Sequence, residues 1–196
     1  MNNKIVVIYT GNRAEFGMLA PIIKSIGQHP NLEYRLIVSG AHLDNEYGFS
    51  KTEIEKEGFN IYKEFKLKYG ADDVLSTVQS IGEGVIKISE FLAKIKPDIV
   101  LVGADRYEGF SAMIASTQLN IPTAHFEGGD ITLGGALDDS LRHAMTKLAH
   151  LHFTTNNESM NRVLKLGEEK HRVFNVGFPG NSTSSGDPLL SPFFFC

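Results

Sequence analysis

The chain has 196 residues, enough for one large domain or two small ones. Its 42% hydrophobic and 21% charged residues are a globular composition and exclude a disordered chain. With 19 basic against 23 acidic residues the net charge is −4, so no basic surplus exists to neutralise many phosphates and no nucleic-acid partner is expected.

Lys4–Tyr9 is a short apolar run with β-branched residues, bounded by the polar turn Thr10-Gly11-Asn12-Arg13. Such a run suits a strand buried on both faces. Leu19, Ile22, Ile23 and Ile26 then form a helical stripe, with Pro21 expected near its start, where a missing N–H costs least. Tyr34–Ser39 reads as a second strand, and Asn60–Leu67 alternates like an edge strand. Val74, Val78, Ile81, Val85, Ile88, Leu92 and Ile95 define a long amphipathic helix that Pro97 ends. Gly82 and Gly84 interrupt its coiled-coil-like spacing, so packing against a sheet is expected. The remaining order is strand Asp98–Gly103, helix Glu108–Gln118, strand Pro122–Phe126 and helix Asp138–Ala149, which Asp138 or Asp139 opens. Strand Leu151–Thr154, helix Asn157–Leu166 with Gly167 as its stop, and strand Arg172–Val176 complete the series.

Strands alternating with helices imply an α/β fold, a doubly wound and mostly parallel sheet with right-handed crossovers. Ligands in that architecture bind outside the carboxyl ends of the strands. The polar residues just after each strand are therefore the candidates for function. A compositional break follows near residue 181. Asn181–Pro188 is polar and breaker-rich, and Leu189–Cys196 carries three consecutive phenylalanines, Phe193–Phe195, expected to favour association. Cys196 is the one cysteine, which excludes an intrachain disulfide framework and suits a reducing compartment. No apolar run approaches the ~18–20 residues that span a bilayer, and Met1–Ile5 reads into a strand, not into a secretory signal. A cytoplasmic protein without a membrane partner is the expectation.

Each loop also has an ordinary reading. Gly11–Gly17 offers a turn glycine, a helix N-terminus and the Arg13 fork, which suit a phosphate; a plain strand-to-helix turn explains them equally. It matches neither the dinucleotide-binding nor the P-loop pattern. Gly40–Gly48 reads as a capped loop. Asp105 stands where a strand enters the crevice, and an N-cap paired with Arg106 accounts for it by itself. Glu127 lies beside two glycines that permit close approach of a ligand, and His125 reads as a hydrogen-bonded core residue. Asp138 and Asp139 favour a helix dipole, and Asp138 shares a face with Arg142 at i, i+4. Their coincidence carries more weight. Asp105, Glu127, Asp138 and Asp139 fall on one rim with Arg13, Arg106 and Arg142. Carboxylates so gathered repel unless cations or a substrate compensate, which suits acid/base work on a phosphorylated or nucleotide-bearing substrate. His125, Glu127, Asp130, His143, His150 and His152 form no recognised ligand spacing, so no metal is expected.

Taken together and in order, GNRAEFG, GAHLDNEYG, GADRYEG, HFEGGD and LDDSLRHAMTKLAHLHF resemble the UDP-N-acetylglucosamine 2-epimerases, most closely their hydrolysing branch. The resemblance covers about residues 4–180. It implies two Rossmann-like halves in a GT-B arrangement, of which this chain is the N-terminal domain (1–180), followed by a non-matching tail (181–196) and lacking the C-terminal domain. The implied reaction converts UDP-N-acetylglucosamine to N-acetylmannosamine and UDP through a 2-acetamidoglucal, in sialic-acid-type sugar biosynthesis and without a cofactor. By the same resemblance, Asp105, Glu127 and one of Asp138 or Asp139 match the family's catalytic acids, and Arg142 an arginine of the same motif. Arg13, Ala14 and Arg106 match positions that contact UDP. The partner would be a small nucleotide sugar, with a homo-oligomer in the complete protein and no activity in a truncated member. The alternatives are a related diacetamido sugar on the legionaminic acid route, a non-hydrolysing epimerase, a non-catalytic sugar-nucleotide-binding or oligomerisation module, and a GT-B glycosyltransferase. The acid-rich EGGD and LDDSLR segments favour epimerase chemistry over transfer.

Overall fold

The computed structural model describes residues 3–45, 49–67, 74–132 and 137–179. The expected tail at 181–196, with Phe193–Phe195, lies outside the described residues. Among the described residues seven strands form one parallel sheet: β1 (Lys4–Thr10), β2 (Leu32–Ser39), β3 (Ile61–Phe65), β4 (Ile99–Gly103), β5 (Thr123–Phe126), β6 (Leu151–Thr154) and β7 (Val173–Asn175). Their spatial order is β3-β2-β1-β4-β5-β6-β7. The helices are α1 (Arg13–Gln28), α2 (Lys51–Lys56), α3 (Val74–Ile95), α4 (Tyr107–Gln118), α5 (Leu137–Leu148) and α6 (Asn157–Lys165). Single 3-10 turns occupy Gly40–Leu43 and Lys170–Arg172. The expected doubly wound α/β sheet is present, with β3 and β7 at its two edges.

The two sheet faces bury alternate residues of the same strands, because successive side chains point to opposite sides. Val6 and Ile8 join Leu36, Val38 and Leu101 beneath the α1 residues Phe16, Leu19, Ile23 and Ile26. Val7 and Tyr9 join Ile37, Val100 and Val102 on the other face, against Ile88 and Leu92 of α3, Met113 of α4 and Met145 of α5. This two-sided burial explains why β1 and β4 are continuous apolar runs. The strand order reverses between β1 and β4, so the crevice for a ligand opens at their carboxyl ends.

Two local expectations change. Asn12 caps α1, its Oδ1 accepting the Glu15 N–H at 3.0 Å, so the helix starts at Arg13 and Pro21 lies inside it. The apolar row Phe16, Leu19, Ile22, Ile23 and Ile26 is buried along that helix and holds it across the proline. In α3, Val74 is 87% and Val78 64% exposed, and the buried line runs Ser80, Gly84, Ile88, Leu92. A Cβ on Gly84 would stand 2.8 Å from Ser111 Oγ, so that glycine is the contact that lets α3 lie close against α4. Among the described residues no helix is long and apolar enough to cross a membrane.

Candidate functional site

The segments after β1, β4 and β5 deliver the charged groups of the crevice. After β1, Arg13 points outward, 77% exposed at its side chain, and pairs with Glu53 at 2.9 Å. Glu15 turns inward instead. It is buried, and its Oε2 accepts the Gly11 N–H at 2.8 Å. Burial pushes this carboxyl up to about 8; the Gly11 bond opposes the rise and neighbouring Glu108 adds to it. Glu108, also fully buried, lies within reach of the Arg106 guanidinium at 3.4 Å. Gly40 closes over this acidic floor with φ +58°, and a Cβ there would meet Gly11 O at 2.7 Å.

After β4 the chain takes a left-handed step at Ala104, φ +57°, whose N–H donates to Phe126 O at 3.0 Å. Asp105 follows, half-buried, and its carboxylate meets the Arg142 guanidinium. Arg142 also donates to Asp139 Oδ1 at 3.2 Å, and Asp139 accepts the Thr132 N–H at 2.9 Å. Burial raises the Asp105 carboxyl above the usual aspartate range, with Asp138 adding repulsion, although Arg142 pulls it down. The backbone N–H of Thr132, first among its causes, holds Asp139 below that range. Asp105 is therefore not the N-cap of α4 paired with Arg106. Arg106 occupies the cap position without a side-chain cap bond.

After β5 comes a second left-handed step at Glu127, φ +65°, whose N–H donates to Phe153 O at 3.0 Å. Its half-buried carboxyl is raised to about 7, first by burial, then by Asp130, with Arg142 lowering it and Asp105 raising it slightly. Asp130 faces α6, accepting from Thr155 Oγ1 at 3.0 Å and from Ser159 Oγ. It ties the loop to that helix.

These groups surround a cavity of about 590 Å³. Arg13, Ala14, Asp105, Arg106 and Glu127 line it, together with Met18, Ala41 and Ser50. Five of the eight residues singled out in the sequence thus meet in one space. Arg142 and Asp139 join it through Asp105, and Asp138 is exposed beside them. Sequence reasoning assigned no role to Glu15, Glu108 or a buried chain behind Ser50. In that chain His42 Nδ1 stands 2.7 Å from Ser50 Oγ and its Nε2 3.0 Å from Thr10 Oγ1. Burial lowers His42 to about 4, so the ring is neutral. The acid three residues after Asn12 was a legible signal, since a helix cap is often answered by a glutamate there. Among the described residues no group of three or more His, Cys, Asp or Glu side chains is arranged to hold a metal ion.

The family profile described as UDP-N-acetylglucosamine 2-epimerase matches residues 24–183. The chain belongs to that family. This 2-epimerase-family chain is 38% identical over 177 residues to the GDP/UDP-N,N'-diacetylbacillosamine 2-epimerase (hydrolyzing) of Campylobacter jejuni, covering 90% of the chain and 46% of that relative. It is 34% identical over 180 residues to the UDP-N,N'-diacetylbacillosamine 2-epimerase (hydrolyzing) of Legionella pneumophila, covering 92% of the chain and 47% of the relative. The chain thus spans about half the length of the relatives it matches. In fold it resembles the crystal structure of a UDP-GlcNAc 2-epimerase from Neisseria meningitidis bound to UDP-GlcNAc, with a TM-score of 0.78 at 20% identity over 90% of this chain and 47% of that one.

Proposed function

We propose that residues 1–180 form the acid-bearing N-terminal half of a hydrolysing 2-epimerase acting on a UDP-linked 2-acetamido sugar. The observation that carries this reading is the meeting of Asp105 and Glu127 in one cavity at the strand-order reversal, with Asp105 held by the Arg142–Asp139 pair. The names of the Campylobacter and Legionella relatives support the hydrolysing outcome.

The reaction needs these groups. The C2 hydrogen of the sugar is weakly acidic, and its loss is easier as the C1–O bond to UDP breaks and positive charge grows at C1. A carboxylate at C2 takes the proton, and further carboxylates stabilise the oxocarbenium-like centre, as in glycosidases. UDP leaves with the bonding pair, giving the 2-acetamidoglucal. Water then adds at C1, and a proton returns to C2 on the opposite face, inverting it. We assign the proton abstraction to Asp105. A carboxyl at about 7, as in Glu127, holds a proton about half the time at neutral pH and suits its return. Arg13 and Arg106 are the cations on this half for the departing diphosphate.

The family description names UDP-N-acetylglucosamine, whereas both relatives are named for a diacetamido sugar. The two share the UDP at C1 and the acetamido group at C2, where the bonds change. The test supplies both to the complete protein and follows UDP and the free 2-epimeric sugar. UDP release with one of them supports the reading, and Asp105→Asn should abolish it. The isolated chain should release no UDP. Release of UDP by the Asp105→Asn protein at the wild-type rate would remove Asp105 from the role.

A further inference from the structure

We propose that His125 is a positioning residue that aims Asp105 by holding the peptide leading into it. The proposal rests on the reading of Asp105 and Glu127 as the reacting acids. His125 is fully buried in β5, in register with Val102 of β4 and His152 of β6. Its Nε2 stands 2.7 Å from Ala104 O. A carbonyl only accepts, so Nε2 carries the hydrogen. That carbonyl belongs to the peptide between Ala104 and Asp105, and its direction sets where the Asp105 side chain leaves the backbone. The other ring nitrogen, Nδ1, lies 3.1 Å from Thr146 Oγ1, one helical turn beyond Arg142 on α5. One imidazole therefore touches the turn that carries Asp105 and the helix that carries Arg142. Its own strand ends one residue later at Phe126, and Glu127 follows.

The backbone explains why such a brace is needed. Ala104, the residue before Asp105, and Glu127 itself have φ of +57° and +65° although neither is glycine. Left-handed conformations of this kind are strained for residues with a Cβ and persist where the surroundings hold them. Phe126 O and Phe153 O accept the two N–H groups on the far side, and His125 holds the Ala104 carbonyl on the near side. Burial keeps the ring neutral, lowering it to about 4; the Ala104 carbonyl favours protonation, while His152, Arg142 and His143 oppose it. Nδ1 is then an acceptor facing the Thr146 hydroxyl, whose single hydrogen is shared between it and Arg142 O, 3.0 Å away. Gly128 completes the fit, since a Cβ there would come within 3.2 Å of Nδ1.

The experiment has one arm that is independent of turnover. In this chain, long-range proton–nitrogen NMR should report the Nε2–H tautomer of His125 across neutral pH. Carbon-detected titration should show the Asp105 and Glu127 midpoints displaced in His125→Leu and near wild type in His125→Gln, whose amide reaches the same carbonyl. In the complete protein, His125→Leu should lower kcat about a hundredfold with KM changed by less than about threefold, and His125→Gln should recover most of the loss. An Nδ1–H tautomer, or a folded His125→Leu chain with unmoved carboxyl titrations, would overturn the proposal. If His125→Leu does not fold, the tautomer and the His125→Gln titrations decide it. A complete wild-type protein that consumes no UDP-linked 2-acetamido sugar would sink the function reading instead, and the NMR arm would still decide whether His125 aims Asp105.

Discussion

The guanidinium of Arg142 joins Asp105, which enters the cavity from the end of β4, to Asp139 on its own helix. All three side chains are mostly buried, at 9%, 16% and 16% exposure. One planar fork can serve two carboxylates; the compact ammonium of lysine cannot hold both in the same geometry. Arg142→Lys and Arg142→Met in the complete protein should each lower kcat/KM, by about 10²-fold or more for Met. Arg142 lowers the Asp105 carboxyl, so its loss should also move the acid limb of the pH–rate profile upward. A Met variant with an unmoved limb would separate Arg142 from Asp105.

Glu127 gives a second prediction about pH. Its carboxyl changes charge at about 7 in the fold, because half-burial and Asp130 disfavour the anion. The rate of the complete protein should bend near that pH if Glu127 passes a proton. Glutamine cannot ionise, so Glu127→Gln should remove the bend and lower kcat by about 10²–10⁴-fold. Retention of the bend in the variant would assign it to another group.

Glu15 bears on stability, and its sign is opposite to that of a salt-bridged acid. Its ordinary value is 4.5 and its folded value about 8. The folded chain keeps a proton that the unfolded chain has released. The stabilisation from that proton is complete below 4.5 and is lost as pH rises through about 8. Within that window the loss is about 1.4 kcal/mol per pH unit. His42 and His125, lowered from 6.5 to about 4, act on the other side, since their neutral burial loses stability as pH falls from 6.5 through 4. Glu15→Gln keeps an acceptor for the Gly11 N–H and does not titrate. Thermal unfolding should therefore show the variant gaining on wild type as pH is raised from about 5 to 8, with the histidine effect common to both. A constant difference in Tm across that range would show that Glu15 is ionised in the fold.

Gly129 supplies a packing prediction with its own control. It has φ +83°, and a Cβ would stand 2.3 Å from Ser159 O, a backbone atom. Gly167 has φ +91° with nothing within 4 Å. Gly167→Ala should cost about 1–2 kcal/mol of conformational strain alone. Gly129→Ala should cost more, about 3 kcal/mol or above, because α6 must move as well. Denaturant midpoints of the two variants test this, and equal losses would mean that the loop after Glu127 yields without displacing the helix.

Much of this architecture was written in local sequence. Period-two and helical spacings are properties of neighbouring residues, so the strand and helix order from Lys4 to Asn175 could be read directly, and the alternation implied a parallel sheet. The same alternation placed Asp105 and Glu127 at strand ends that open onto one cavity. The short helix Lys51–Lys56 escaped notice because six residues carry too little periodicity, and the contact that Gly84 makes was not visible because its neighbour Ser111 is supplied by another helix. Tertiary structure alone decided the partners. Asp105 and Arg142 are 37 positions apart, and the i, i+4 spacing pointed to Asp138 as the arginine's companion, where the fold supplies Asp139 and Asp105. Which carboxyl is buried, which peptide is turned left-handed and which histidine braces it depend on how β4 and β5 lie side by side beneath α5. Distances across a sheet are set by strand order and crossover, and no short-range pattern along the chain encodes them.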